Sequence, residues 1–207
     1  MLGLLAPTLI AFVAAWASGG ALRDIFSTRV RGWPLILAAF AVELLLYNPP
    51  LDAQPWALVV GPLIWVVTRL VLLYVAVLNW RTPGVLRWAW LLMALGVGLN
   101  TVVVVLNGGH MPQSVEAAAS IRGARAYEFD TTRLHNIVPL GPDTKLAWLS
   151  DVIPEPAWLP RANVLSIGDV LLALGMAAWV FLASRPGVSW SETPLHGDAR
   201  PPGRRPI

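Results

Sequence analysis

Apolar residues gather into five long stretches, at about 2–20, 33–48, 56–80, 86–107 and 164–183. Apart from Arg87 at the edge of the fourth, only Glu43, Arg69 and Asp169 put a charge inside them. A helix needs about 20 mostly apolar residues to cross the ~30 Å hydrocarbon core of a bilayer. The pattern therefore predicts an all-α fold: a polytopic helical membrane bundle of five transmembrane helices. The segments between the stretches carry polar residues, Gly and Pro. The longest, 108–163, is expected to be a long, partly helical extracytoplasmic loop.

Within that loop Ser114 is placed to cap a short helix running to about Tyr127, with Glu116 favourable in its first turn. Asp143 is placed to cap a second helix, from Thr144 to about Val152. That helix would align Leu146, Leu149 and Val152 on one stripe, to lie on the outer end of the bundle. Pro154, Pro156 and Pro160 then impose an extended return to the fifth stretch.

Composition agrees with a chain partly dissolved in lipid. Hydrophobic residues make up 56% and charged residues 13%, against about 25% charged in soluble domains. The mean hydropathy is +0.61. The 11 tryptophans suit membrane–water interfaces. With no cysteine, disulfides, thiolate metal sites and a cysteine nucleophile are excluded.

Charge sets the expected orientation. The net charge is +3, but the arginines flank apolar stretches instead of forming a groove, so no nucleic-acid partner is inferred. Arg23, Arg29, Arg31, Arg81, Arg87, Arg185, Arg200, Arg204 and Arg205 share one side if all five stretches cross. The turn at 49–55 on the other side holds only Asp52. The positive-inside rule then gives an N-out, C-in topology. The first stretch has no basic residue before it, so it reads as a retained span and not a cleaved signal. Residues 1–183 form one transmembrane domain in this reading, and the Pro-, Gly- and Arg-rich 184–207 a disordered basic cytoplasmic tail.

Candidate chemistry falls in two places. Glu43 and Arg69 lie near the middle of the second and third stretches, where antiparallel neighbours would pair them. Asn100, on the fourth, adds an intramembrane polar group. The preferred reading of the pair is an architectural ion pair, with a proton or ion relay as the functional alternative.

At the outer end the fourth stretch stops in Asn107-Gly108-Gly109-His110-Met111-Pro112, a helix-stop signal. The fifth opens with Ser166-Ile167-Gly168-Asp169, which places a carboxyl group at a helix N-terminus. Asn107, Gly108, Gly109, Asp151 and Asp169 are the binding candidates. His110, His135, Asp151 and Asp169 are the candidate catalytic set, should all four meet at the outer mouth. No HExxH, GxSxG or Walker motif accompanies them. The sequence names no cofactor and no metal site. The preferred reading has Asp151 and Asp169 pinning the loop to the bundle.

The Asn-Gly-Gly-x-Met-Pro block at 107–112, the Asp143-Thr144-Lys145-Leu146 run, Leu149-Ser150-Asp151-Val152-Ile153-Pro154 and the Ser-Ile-Gly-Asp block at 166–169 together resemble a family of bacterial multi-pass membrane proteins. That family is catalogued only as a domain of unknown function. The resemblance covers about the second half of the chain and implies a bacterial cytoplasmic-membrane location without supplying a reaction.

Three functions are carried forward. The leading one is a non-enzymatic accessory, assembly or binding component whose partners are membrane lipid and a membrane protein. The others are a membrane enzyme acting on an amphiphilic substrate at the outer leaflet, and a small transporter or proton relay.

Overall fold

The computed structural model describes residues 2–81, 83–122, 133–160 and 162–185. Helices dominate: α1 (Leu2–Ala17), α2 (Leu22–Ser27), α3 (Trp33–Leu46), α4 (Pro55–Trp80), α5 (Arg87–Leu106), α6 (Val115–Arg122) and α7 (Ile167–Ala183). Two helices, α4 and α5, are long and apolar enough to cross a membrane. The other three apolar helices are shorter, because polar or strand residues take the ends of their stretches. Helix α3 has 14 residues, or ~21 Å at 1.5 Å per residue.

The five apolar helices pack side by side in the order α1, α7, α5, α4, α3. Neighbours α7, α5, α4 and α3 alternate in direction. Asn79 at the end of α4 exchanges hydrogen bonds with the backbone of Arg31 just before α3, donating to its carbonyl at 2.8 Å and accepting from its N–H at 2.9 Å. Gly96 of α5 faces the carbonyl of Gly168 and the backbone of Leu172, while Gly175 of α7 faces Met93 and Ala89. These glycines bring α5 and α7 into backbone contact. The C-terminal ends of α1 and α7 lie together, with the Ala21 N–H donating to the Ser184 carbonyl at 3.0 Å.

The fold is not wholly α-helical. Residues after α5 form a cap over one end of the bundle, containing two small sheets. Strands β1 (Met111–Gln113) and β2 (Ile137–Pro139) are parallel, with Met111 opposite Ile137. Strands β3 (Ile153–Pro154) and β4 (Val164–Leu165) are antiparallel, with Ile153 opposite Leu165. Asp151 adds a parallel bridge to Gln113.

The amphipathic helix expected at 144–152 is absent. Ala147–Leu149 make a single 3-10 turn, preceded by Leu146 in the left-handed region at φ 53°. Backbone pairing outweighs the apolar stripe there, because the N–H and C=O of Asp151 are both engaged with β1. Helix α6 does start at the expected place, with the Ala117 N–H donating to Ser114 Oγ at 3.1 Å. The expected continuation to Tyr127 lies outside the described residues, as does nearly all of the 184–207 tail. The strand at Val164–Leu165 takes the start of the fifth apolar stretch, so α7 begins only at Ile167.

Candidate functional site: the junction of cap and bundle

The N-terminus of α7 organises the junction. Ser166 Oγ accepts from the Asp169 N–H at 2.9 Å, and Asp169 Oδ2 accepts from the Ser166 N–H at 3.0 Å. This reciprocal capping satisfies two amide groups that the helix itself leaves unpaired. Across the interface Asn100 Nδ2 donates to Asp169 Oδ1 at 2.8 Å, and Ser166 Oγ donates to Asn100 Oδ1 at 2.9 Å. Gly168 makes this possible, since a Cβ there would collide with the Asn100 side-chain amide. Both oxygens of Asp169 are thus acceptors in an architectural knot.

Asp151 approaches the knot from the cap. Its N–H donates to Pro112 O at 3.0 Å and its carbonyl accepts from the Ser114 N–H at 2.8 Å. The residue is 6% exposed. Oδ2 receives only a long bond from Gln113 Nε2, at 3.4 Å, and Oδ1 has no partner. Burial, chiefly, and then the negative charge of Asp169 push its carboxyl up to about 8, against a small opposing pull from Gln113. Burial thus favours the neutral form of Asp151 more than that of an ordinary surface aspartate. The neighbouring Ser150 hydroxyl is also buried and without a partner.

Asn100, Asp151 and Asp169 lie in one region, and His110 and His135 stand in irregular segments just before β1 and β2, at the same end of that parallel pair. His110 is half-buried, and its N–H donates to the Asn107 carbonyl at 3.4 Å. Burial holds its imidazole below the usual range, partly offset by the carbonyls of Gly108 and Asn107. Among the described residues, no three His, Asp or Glu side chains are grouped as a metal ion would require.

Asn107 is a fastener. Its Nδ2 donates to the Lys145 carbonyl at 3.0 Å and its Oδ1 accepts from the Lys145 N–H at 2.9 Å. Gly108 and Gly109 follow with φ of 69° and 86°, which lets the chain turn out of α5. A Cβ on Gly109 would strike Pro62 of α4.

The second polar cluster lies between α3 and α4, below the cap. Arg69 pairs with Glu43, which also accepts from Thr68 Oγ1 at 2.7 Å. The Arg69 guanidinium lies over the Trp65 ring at 5.6 Å, and Tyr47 meets that ring edge-on at 6.4 Å. The pair is held between two helices with side chains 19% and 18% exposed. Glu43 sits near the C-terminal end of α3, whereas Arg69 sits near the middle of α4, because α3 is the shorter helix.

Three fasteners escaped the sequence reading. Asp52 accepts from Arg133 Nη1 at 2.8 Å, and its carbonyl accepts from the Leu134 N–H at 2.7 Å. Leu134 then fills a notch at Gly61 of α4. Gln113 bonds Asp151, and Asn79 clamps Arg31. Each joins residues at least 38 positions apart, so no local spacing marks them. The one available signal was Asp52 itself, a lone charge in a short apolar turn.

Residues 27–181 match the model of DUF5317, a family of unknown function. No curated protein and no solved structure matches the chain.

Proposed function

This chain belongs to DUF5317, and for it we propose a five-pass protein of the bacterial cytoplasmic membrane, N-out and C-in. Its outer cap holds lipid or a membrane-protein partner without catalysing a reaction. The observation that carries this reading is the inverted polarity of the helical array. Val59, Leu63, Leu44, Phe40, Ile10 and Val13 point outward and are exposed, Val59 by 79%. The polar side chains Glu43, Arg69, Asn79 and Asn100 are held between helices. Only 22% of the most apolar window of α4 is buried, whereas the core helix of a soluble domain is mostly covered. Lipid is the solvent that tolerates such a surface.

The ends support the orientation. Exposed Trp16, Trp33 and Trp88 mark the end remote from the cap, together with Arg23, Arg29, Arg31, Arg81, Arg87 and Arg185. Trp56, Trp148 and Trp158 mark the cap end, with Trp158 80% exposed. Two aromatic belts with arginines concentrated at one end fit a cytoplasmic side opposite the cap.

A binding role is favoured over chemistry because the junction aspartates have structural settings. Asp169 has both oxygens engaged by Asn100 and the Ser166 N–H, and Asp151 is buried alongside β1, fastened by its backbone. Trp148 and Trp158 are large rigid anchors of the kind that dominate recognition surfaces. Native mass spectrometry of gently purified protein tests the reading. We expect a retained lipid or subunit in the parent, and its loss in a Trp148→Ser/Trp158→Ser double variant that keeps the parent melting profile. A bare monomer in both, or an adduct indifferent to the double substitution, contradicts it.

A further inference from the structure

The end of the bundle remote from the cap is crossed by the segment that contains α2. At one side the Ala21 N–H donates to the Ser184 carbonyl after α7, and at the other Asn79 of α4 holds the backbone of Arg31. Between these fastenings Ile25 and Val30 turn into the bundle, against the cluster of Trp90, Met93 and Ala183. Leu22 and Phe26 are not covered by it. They lie one turn apart on α2, and Phe26 is 84% exposed. Arg23 stands beside them with its side chain 90% exposed.

Arg185 brings a second cation to this corner. It follows Ser184 directly, and Arg23 follows Ala21 by two residues, so one backbone hydrogen bond ties the two arginines to the same place. Arg185 Nη1 donates to the Ser18 carbonyl at 3.3 Å, and its guanidinium lies over the Phe181 ring at 4.4 Å. That bond uses one of the five N–H donors of the group. Asp24, 3.9 Å from Arg23 Nε, is the acid of this end among the described residues. It stands against Arg23, Arg29, Arg31, Arg81, Arg87 and Arg185.

We propose that the corner of α1, α2 and α7 binds an anionic phospholipid of the surrounding leaflet, with Arg23 and Arg185 on its phosphodiester and Leu22 and Phe26 beside its acyl chains. Each half of such a lipid finds a counterpart. Guanidinium groups match phosphate oxygens in charge and in donor geometry. An apolar helix face next to cations suits the boundary between headgroups and acyl chains, where anionic lipid is drawn in. The same surface continues into exposed Ile10, Val13 and Trp16 of α1, which end at the turn leading to α2. A free phosphate ion would engage the arginines and leave this apolar run uncovered.

The inference rests on the membrane setting of the helices and not on the binding role of the cap, which lies at the opposite end. Native mass spectrometry of the full-length protein, incubated in detergent with equal amounts of phosphatidylglycerol and phosphatidylcholine of the same acyl chains, reads the preference directly. The parent should retain the anionic lipid about tenfold over the zwitterionic one. Arg23→Gln/Arg185→Gln should bring that ratio to within about twofold of unity, whereas Arg81→Gln/Arg87→Gln, which removes the same charge from the α4–α5 turn, should keep the parent ratio. Phe26→Ser should lower retention of both lipids. Arg23→Gln alone should lower the ratio about threefold, and serves if loss of the Arg185 contact with Ser18 unfolds the double variant.

A parent without preference, or an equal fall in the two double arginine variants, overturns the proposal, since attraction would then be diffuse. Trp148→Ser/Trp158→Ser should leave the ratio unchanged. Loss of the preference in that variant would place the lipid at the cap, which contradicts this site and supports the role of the cap.

Discussion

Asp169, half-buried, and Asp151, buried, lie at one junction, yet their side chains ask for opposite replacements. Asp169 accepts two hydrogen bonds, from Asn100 and from the Ser166 N–H. An amide at this position would aim N–H groups at one of those donors. Asp169→Asn should therefore cost ~1–3 kcal/mol, the penalty for an unmade buried bond. Ser166→Ala should cost ~1 kcal/mol or more, since it removes the helix cap and a partner of Asn100. Asp151→Asn, which resembles the neutral acid, should leave stability near pH 7 almost unchanged. Thermal melting of the three variants in one detergent checks the order.

The role of Asp169 was legible because the cap, the helix start and the acid lie within four residues. The state of Asp151 was not, because it depends first on burial in the folded cap and then on Asp169 and Gln113, neither of which is near it in the chain.

The Glu43–Arg69 pair belongs to the same scale. Removing one partner leaves an uncompensated charge and should cost ~3–5 kcal/mol, while replacing both with apolar residues should cost far less. A double-mutant cycle with Glu43→Leu and Arg69→Met measures this. Strict additivity of the two losses would remove the pair from the account.

Among elements, the contact between α5 and α7 controls where the cap sits. Gly96 and Gly168 let the two backbones touch, and the Asn100–Asp169 bond depends on that closeness. Gly96→Leu should separate the helices and lower stability by at least ~1–3 kcal/mol. Gly61→Leu should instead evict Leu134 and loosen the cap from α4, leaving α5–α7 packing intact. Limited proteolysis distinguishes the two, with cleavage in the cap enhanced in both and loss of the helical array only in the first.

Elements built on long apolar periodicity were readable from the chain. The 3-10 turn at Ala147–Leu149 was not, because an apolar stripe cannot show that Asp151 will be claimed by a strand 38 residues earlier. Helix α2 was missed for a related reason. Its six residues are too few for a periodic signal.

At the scale of the whole molecule, the polarity is that of a protein turned outward. The apolar surface faces the surroundings, arginines collect at one end, and an ordered cap with exposed Trp148 and Trp158 closes the other. The most direct test of this account is labelling by a membrane-impermeant maleimide in intact bacterial cells. Single cysteines at Ala157 in the cap and Val85 between α4 and α5 lie at opposite ends, and both positions are exposed. The account predicts that Ala157→Cys labels in intact cells, while Val85→Cys labels only after the membrane is permeabilised. Equal labelling of both before permeabilisation, or protection of Ala157→Cys with labelling of Val85→Cys, would contradict it.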